Sequence, residues 1–358
     1  MTTPADPASG TGSGSDSMLV GNIRRLFPGY FAMVMATGII AIGAAQQEIT
    51  WLGEILFVIA AVAYVVLALL LGARVLIARP AFVADLTTHA KGFAFLTTVA
   101  ATNVLASAAG VIHGWWDLAY VMWWASIGLW ALLAYSTLFA VVLKGPKPGL
   151  GSGINGTWFL LTVSIESIVA LGALLIPKHN SDLMAFGLIA GFLVGVVLYL
   201  IVMTMVFLRW TFHELDPKEA DPPAWIAAGA LAITVLAGSN LLRARLEVTR
   251  IEHLAIFLEG FVILAWATST FWFPLMIAIG VWRHVINRVP LRYHPSYWAM
   301  VFPLGMYGAS SFRMLDAIGL DHMAWLPKLT LVVALVAWST LIIGLGYQGA
   351  TAKQRRAI

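Results

Sequence analysis

Several kinds of residue are scarce or missing in this chain of 358 residues. It contains no cysteine, which excludes disulfides, thiolate metal sites and a cysteine nucleophile. Charged residues make up 11% of the chain and hydrophobic residues 60%, whereas a typical soluble domain is about 25% charged. A soluble fold of this size cannot cover so much apolar surface. The composition therefore excludes a soluble globular protein, a disordered chain and a nucleic-acid binder, and it predicts an all-α polytopic membrane protein.

The signatures of enzyme catalysis are missing as well. The sequence has no HExxH, no P-loop and no glycine-rich dinucleotide motif after a strand. All eight histidines lie in loops or at the ends of apolar segments, whereas a membrane cytochrome needs axial histidines within its helices. We therefore expect no catalytic residues, no metal site and no cofactor.

Ten apolar segments follow one another along the chain, each near the roughly 20 residues that cross a bilayer. The links at 47–50 and 114 are very short, so the first four segments form two antiparallel hairpins, and the same pairing extended along the chain predicts five. The composition predicts a disordered cytoplasmic tail over residues 1–17. We expect an interfacial segment over 18–27, a single ten-helix membrane domain over 28–347 and a basic cytoplasmic tail over 348–358. The predicted spans are 29–46, 51–75, 92–113, 115–143, 154–176, 183–209, 224–241, 254–285, 295–313 and 325–347.

The distribution of basic residues predicts the orientation. With the N-terminus in the cytoplasm, 15 of the 21 Lys and Arg residues fall on the inside and 6 on the outside. This bias follows the positive-inside rule. It favours an even number of spans with both termini cytoplasmic, in a bacterial inner membrane.

Small and polar residues concentrate in the odd-numbered segments, whereas segments 2, 6 and 10 are dominated by Leu, Val, Ile and Ala. One interpretation is that odd helices line a pore and even helices face lipid. The alternative is close helix packing, which uses the same residue types. The candidate pore-lining residues are Thr37, Gly38, Asn103, Ser164, Glu166, Gly238, Ser239, Pro303 and Gly305.

Charged side chains within the spans are few. Glu166 is the only acidic residue near the middle of a segment. It suggests proton coupling or substrate discrimination, and the alternative is a neutral carboxyl bonded to a neighbouring hydroxyl or carbonyl. No Lys or Arg lies at mid-span, which predicts that transported anions are held weakly.

Four arginines on the predicted outer side form a candidate electropositive mouth for anions. The alternative is charge pairing with Glu247 and Glu252, because Arg243 and Glu247 have i,i+4 spacing. The four are Arg243, Arg245, Arg250 and Arg313.

Three stretches carry a family resemblance: PGYFAMVMATGII at 28–40, NGTWFLLTVSIESIVALGA at 155–173 and HPSYWAMVFPLGMYGAS at 294–310. They resemble the tellurite-resistance/C4-dicarboxylate transporter family, which includes malate permeases, sulfite efflux pumps and plant slow-type anion channels. The resemblance implies five hairpins around a pseudo-five-fold central pore and a homotrimer with one pore per subunit. It also implies a phenylalanine gate in the ninth helix, at the position of Phe302.

The expected function is transmembrane passage of small anions, with the lipid bilayer as the surroundings and no nucleic-acid partner. The family alone does not choose among C4-dicarboxylate, tellurite, sulfite and halide. A proton-coupled dicarboxylate carrier that uses Glu166 is one alternative. A membrane sensor or enzyme subunit without transport activity is another.

Overall fold

The computed structural model describes residues 20–179, 181–217 and 222–354. The predicted tail 1–17 lies outside these ranges, as do residues 355–358 of the predicted basic tail. Residues 20–24 form a short helix within the predicted segment 18–27. The described residues form helices and connecting loops, without a strand, in agreement with an all-α membrane protein.

Ten long helices follow one another at the ten predicted positions. The first segment of each predicted hairpin begins with a short 3-10 turn, and these turns lie at 28–31, 92–96, 156–159, 222–225 and 295–297. The long helices are α1 (Ala32–Gln46), α2 (Thr50–Ile77), α3 (Thr97–His113), α4 (Trp116–Leu143), α5 (Leu160–Leu175), α6 (Asp182–Phe212), α7 (Ile226–Arg243), α8 (Ala255–Val281), α9 (Trp298–Ile318) and α10 (Trp325–Gln354).

The odd-numbered helices form a closed ring. Helix α1 contacts α3, α3 contacts α5, α5 contacts α7, α7 contacts α9, and α9 contacts α1. Each even-numbered helix packs on the odd helix before it and on the next odd helix around the ring. Five hairpins therefore surround one axis, and we call the odd-numbered helices the inner helices.

Burial alternates with the ring. Between 83% and 94% of the most apolar window is buried in α1, α3, α5 and α7, against 17% to 39% in the even-numbered helices. Exposed Val, Leu, Ile and Phe side chains cover the even helices, as expected for surfaces that face lipid. The predicted division into inner odd helices and outer even helices is thus present.

Nine helical segments within the described residues are long and apolar enough to cross a membrane. Helix α9 is not among them, because its sequence mixes apolar residues with Pro303, two serines, two glycines, Arg313 and Asp316. The tenth crossing, and with it the placement of both termini on one side, stays a prediction.

The starts of two inner helices, α5 and α9, are capped by side chains, and the starts of α5 and α7 are tightly packed. The Asn155 side chain accepts a hydrogen bond from the Thr157 amide at 2.8 Å, and the His294 ring accepts one from the Ser296 amide at 3.2 Å. Both contacts satisfy amide donors that a helix start leaves open. Gly156 has no room for a Cβ, because that atom would collide with the backbone of Pro223. The first turns of α5 and α7 are therefore held in direct contact.

Candidate functional site

A narrow pocket lies where the five inner helices begin, and we call it the axial pocket. Its volume is about 20 Å³, which is room for about one water molecule. Phe302 lines it and is itself only 1% exposed. Every inner helix or its first turn contributes to the wall, together with Phe27: Gly29, Ala32 and Met35; Ala94 and Thr97; Thr157 and Leu160; Pro223 and Ile226; and Pro295, Ser296, Ala299 and Phe302.

The wall of the axial pocket is almost entirely apolar. Its three hydroxyl groups have partners of their own: Thr97 donates to the Ala94 carbonyl at 2.7 Å, Thr157 donates to the Asn155 side chain at 2.6 Å, and Ser296 lies 2.8 Å from the His294 ring. No charged side chain is among the described residues that line it. The electrostatic feature that remains is the set of five helix starts, each with a partial positive charge from the helix dipole.

Two glycine contacts set the position of the helix that carries Phe302. A Cβ on Gly229 of α7 would lie 2.7 Å from Cγ of Pro303. A Cβ on Gly305 would lie 2.9 Å from Ile40 of α1. Helix α9 is thus packed closely against both of its ring neighbours, and Phe302 is held at the pocket between them.

Several predicted pore-lining residues make contacts between helices instead. The Thr37 hydroxyl accepts a hydrogen bond from the indole of Trp338 on α10 at 2.9 Å. The Asn103 side chain donates to Ser167 of α5 at 3.0 Å and accepts from Ser126 of α4 at 2.8 Å. These bonds join inner helices to outer helices and to each other. They favour the packing interpretation for Thr37 and Asn103.

The small residues on the list are also in helix contacts. Gly38 faces Val104 of α3, and Gly238 faces Val262 and Phe192 on the outer helices. Ser164 donates to the Leu161 carbonyl at 3.1 Å and lies four residues after the pocket-lining Leu160, about 40° away around the helix. Ser239 is fully buried, with no hydrogen-bond partner for its hydroxyl within the described ranges. Of these residues, Ser164 lies nearest in angle to the axial face.

Glu166 is fully buried between α5, α6 and α7. It is six residues after Leu160, which places it about 240° around the helix from the residue that lines the axial pocket. Its carboxyl group lies against Gly195 of α6, where an added Cβ would collide with it. The Thr234 hydroxyl of α7 lies close to the carboxyl group, but neither carboxyl oxygen has a hydrogen bond of standard geometry within the part of the chain that the structure describes. Glu166 therefore faces an outer helix rather than the axial pocket.

The outer arginines are partly neutralised. Arg243 forms an ion pair with Asp316 of α9. Arg250 binds Asp182 at the start of α6 through two hydrogen bonds, of 2.8 and 2.6 Å. Two of the four arginines are thus paired with aspartates from other helices, which the i,i+4 spacing did not indicate. Arg245 is exposed and Arg313 half-buried.

A second, larger cavity lies beside the axial pocket, and we call it the side cavity. Its volume is about 580 Å³, and Ser296 lines both spaces. Arg209, Arg283 and Arg292 line the side cavity together with His294. From the sequence, these arginines served only as evidence for the orientation. Arg209 precedes Arg283 by 74 residues and Arg292 by 83, and no local pattern indicates that the three line one cavity.

Comparison with known proteins gives a family match over most of the chain. A family described as voltage-dependent anion channel matches residues 25–345. An uncharacterized membrane protein of Mycobacterium tuberculosis is 35% identical over 152 residues, which cover 41% of this chain and 75% of that protein. An uncharacterized transporter of Methanocaldococcus jannaschii is 26% identical over 330 residues, which cover 83% and 88%. A second transporter of that organism, also named uncharacterized, is 28% identical over 198 residues, which cover 51% and 55%.

Proposed function

Because the chain belongs to the voltage-dependent anion channel family, which is the tellurite-resistance/C4-dicarboxylate transporter family that its motifs resemble, we propose that it passes small anions along the axis of the inner helices. The family and the names of the relatives indicate a membrane transporter or channel rather than an enzyme. In this proposal Phe302 closes the path at the axial pocket.

The axial pocket is the observation that supports this function. It lies on the axis of the ring, all five inner helices begin around it, and the phenylalanine side chain of α9 is part of its wall. An anion that reaches it meets five partial positive charges and no basic side chain. Weak attraction of this kind suits rapid passage better than tight binding.

The apolar wall favours monovalent anions. An ion that enters this pocket loses most of its water. The idealised free-energy cost of this dehydration rises with the square of the charge, so it is about four times larger for a divalent anion than for a monovalent anion of equal size. The narrow volume disfavours a four-carbon chain as well. We propose small monovalent inorganic anions as the main substrates, ahead of C4-dicarboxylates.

The second candidate function is a proton-coupled carrier that uses Glu166. The buried carboxyl without a hydrogen-bond partner supports it, because such groups within membrane helices are often functional. The Glu166 carboxyl points toward α6, which argues against direct contact with an anion in the axial pocket. A pH gradient across proteoliposomes separates the two candidates, since only the carrier responds to it through Glu166.

The main test is anion flux into proteoliposomes with chloride, nitrate, sulfite, tellurite, malate and succinate. We expect Phe302→Ala to raise flux of monovalent anions by about tenfold, which corresponds to a barrier lower by about 1.4 kcal/mol. The matched control is Phe159→Ala, because Phe159 is equally buried at the start of α5 but lies outside the pocket wall.

Three results would contradict the proposal. Wild-type flux in a folded Phe302→Ala variant removes the gate, and an equal increase in both variants points to general loosening of the bundle. Absence of flux for every anion tested favours a sensor or an enzyme subunit.

The assembly and location are part of the same proposal. The charge distribution supports cytoplasmic termini and therefore places the axial pocket toward the cytoplasm. The homotrimer rests on the family resemblance, and the bacterial inner membrane on the multi-span architecture. Crosslinking in native membranes followed by mass determination tests the trimer.

A further inference from the structure

The side cavity is a separate space from the axial pocket. It lies between the ends of α6 and α8 and the starts of α5, α7 and α9, on the side of the bundle where the inner helices begin. Its volume of about 580 Å³ is within the range of about 300–1,000 Å³ typical of small-molecule sites. A single halide or nitrate ion would leave most of it empty.

The charged lining of this cavity has one sign. Arg209, Arg283 and Arg292 line it, and no Asp or Glu is among the described lining residues. Neither Arg209 nor Arg292 forms an ion pair with any residue in the described ranges. In the sequence, Glu214 and Asp216 flank the lining residue Leu215, and Asp221 directly precedes the lining residue Pro222. Asp216 and Arg283 each have an interaction partner of their own.

One of the arginines is held in a defined position. Arg209 donates from Nε to the Gly151 carbonyl at 2.7 Å, and this bond directs its guanidinium from the end of α6 toward the loop before α5. Arg292 comes from the link before α9, about 80 residues later in the chain. Guanidinium groups that converge from separate elements are suited to anions with several oxygens, because each can bind two oxygens at once.

From this arrangement we infer that the side cavity binds the phosphate of an anionic organic ligand. Arg209 and Arg292, which form no ion pair within the described ranges, match phosphate charge and geometry. Trp210 and Tyr297 line the same space and offer flat surfaces to the organic part. The inference goes beyond the proposed transport function and does not depend on it, since the side cavity is distinct from the pocket that holds Phe302.

Two sources could supply such phosphate groups. Trp210 lies near the end of α6, at the level where tryptophans meet lipid headgroups, so an anionic phospholipid can reach the cavity from the membrane. A water-soluble nucleotide-sized phosphate can reach it from the aqueous side. The chemistry of the site is the same for both, and the experiment separates them.

The test measures binding to the purified full-length protein in detergent. ADP and inorganic pyrophosphate are tested by equilibrium dialysis, and phosphatidylglycerol is compared with phosphatidylcholine by native mass spectrometry. We expect ADP or phosphatidylglycerol to bind the wild type, and Arg292→Gln to weaken that binding by about tenfold through loss of a charge-assisted contact. Adding Arg209→Gln should abolish it.

The matched control is Arg288→Gln, an exposed arginine in the same link that does not line the cavity. Its binding should equal that of the wild type. Binding of ADP identifies a soluble ligand, and selective binding of phosphatidylglycerol identifies a lipid. The inference is overturned if none of the three phosphate probes binds the wild type, or if Arg288→Gln weakens binding as much as Arg292→Gln does.

Discussion

Replacing Gly229 by alanine should separate α7 from α9 and raise anion flux. The new Cβ would lie 2.7 Å from Cγ of Pro303, whereas non-bonded carbons rest at about 3.5–4.0 Å. Pro303 therefore has to retreat by about 1 Å. Its ring cannot rotate away as a flexible side chain would, so the backbone of α9 has to move and carries Phe302 with it.

The stability change is a balance of two terms. Overpacking of this kind costs about 1–3 kcal/mol. Alanine in place of glycine within a helix returns about 1 kcal/mol. We expect a net loss of about 1 kcal/mol, seen as a melting temperature a few degrees lower in detergent. Ile226 of α7 and Phe302 of α9 both line the axial pocket. Flux should therefore rise, because separating the two helices widens the pocket.

The matched control is Gly128→Ala in α4, where an added Cβ meets nothing within 4 Å. It gains the same helix propensity without the clash, so its melting temperature should equal or exceed that of the wild type and its flux should not change. If Gly229→Ala melts and conducts like Gly128→Ala, then α7 and α9 are not in the close contact described here. In that case the contact between α7 and α9 does not position Phe302.

Three further predictions concern polar groups outside the axial pocket. Glu166→Gln should leave flux and its response to a pH gradient unchanged, because the carboxyl faces α6, and loss of the pH response would instead establish the carrier. Partial burial raises the pKa of Asp85, but hydrogen bonds from Arg74 at 2.5 Å and Lys91 at 2.9 Å more than offset it and hold the pKa below its usual value. The stability this provides is present above about pH 4 and is lost as the pH falls further through the lowered pKa, so wild-type melting temperature should drop there. Asp85→Asn should lower the free energy of unfolding at pH 7 by about 1–2 kcal/mol, a modest loss because the aspartate is partly exposed. The melting temperature of this variant should not show the drop at acid pH. Asn103→Ala should lower the melting temperature through loss of its hydrogen bonds to neighbouring helices, worth about 1 kcal/mol each, while the anion selectivity measured in proteoliposomes stays that of the wild type.

Much of the architecture was predictable because it depends on local composition. The ten segments predicted from apolar runs coincide with ten long helices, although α9 is less apolar than the other nine. The small and polar residues of odd segments indicated which helices are buried. The family motifs at 28–40, 155–173 and 294–310 led to the family that the whole-chain match confirms. All three stretches include first turns that surround the axial pocket. The feature that sequence reasoning overlooked is that every odd helix starts with such a turn.

The functional residues were harder to predict, because a polar residue in a helix has a direction that sequence alone does not determine. Thr37 and Glu166 are both polar and mid-span, yet one bonds to Trp338 on α10 and the other faces Gly195 on α6. Each helical residue turns the side chain by about 100°, so its neighbour depends on how the helix is rotated within the ring. Local spacing likewise suggested Glu247 for Arg243, whereas the ion pair in the structure joins Arg243 to Asp316 on a different helix.

By itself, the sequence determined that this protein lives in a membrane, that it is built from apolar helices and which of them are inside, since length and hydrophobicity along the chain suffice for these properties. The tertiary structure alone decided which residues meet on the axis and that arginines from distant segments line one cavity. Those outcomes depend on the rotation and contact of helices far apart in the chain, which are set by packing, as in the close approaches of Gly156 to Pro223 and of Gly229 to Pro303.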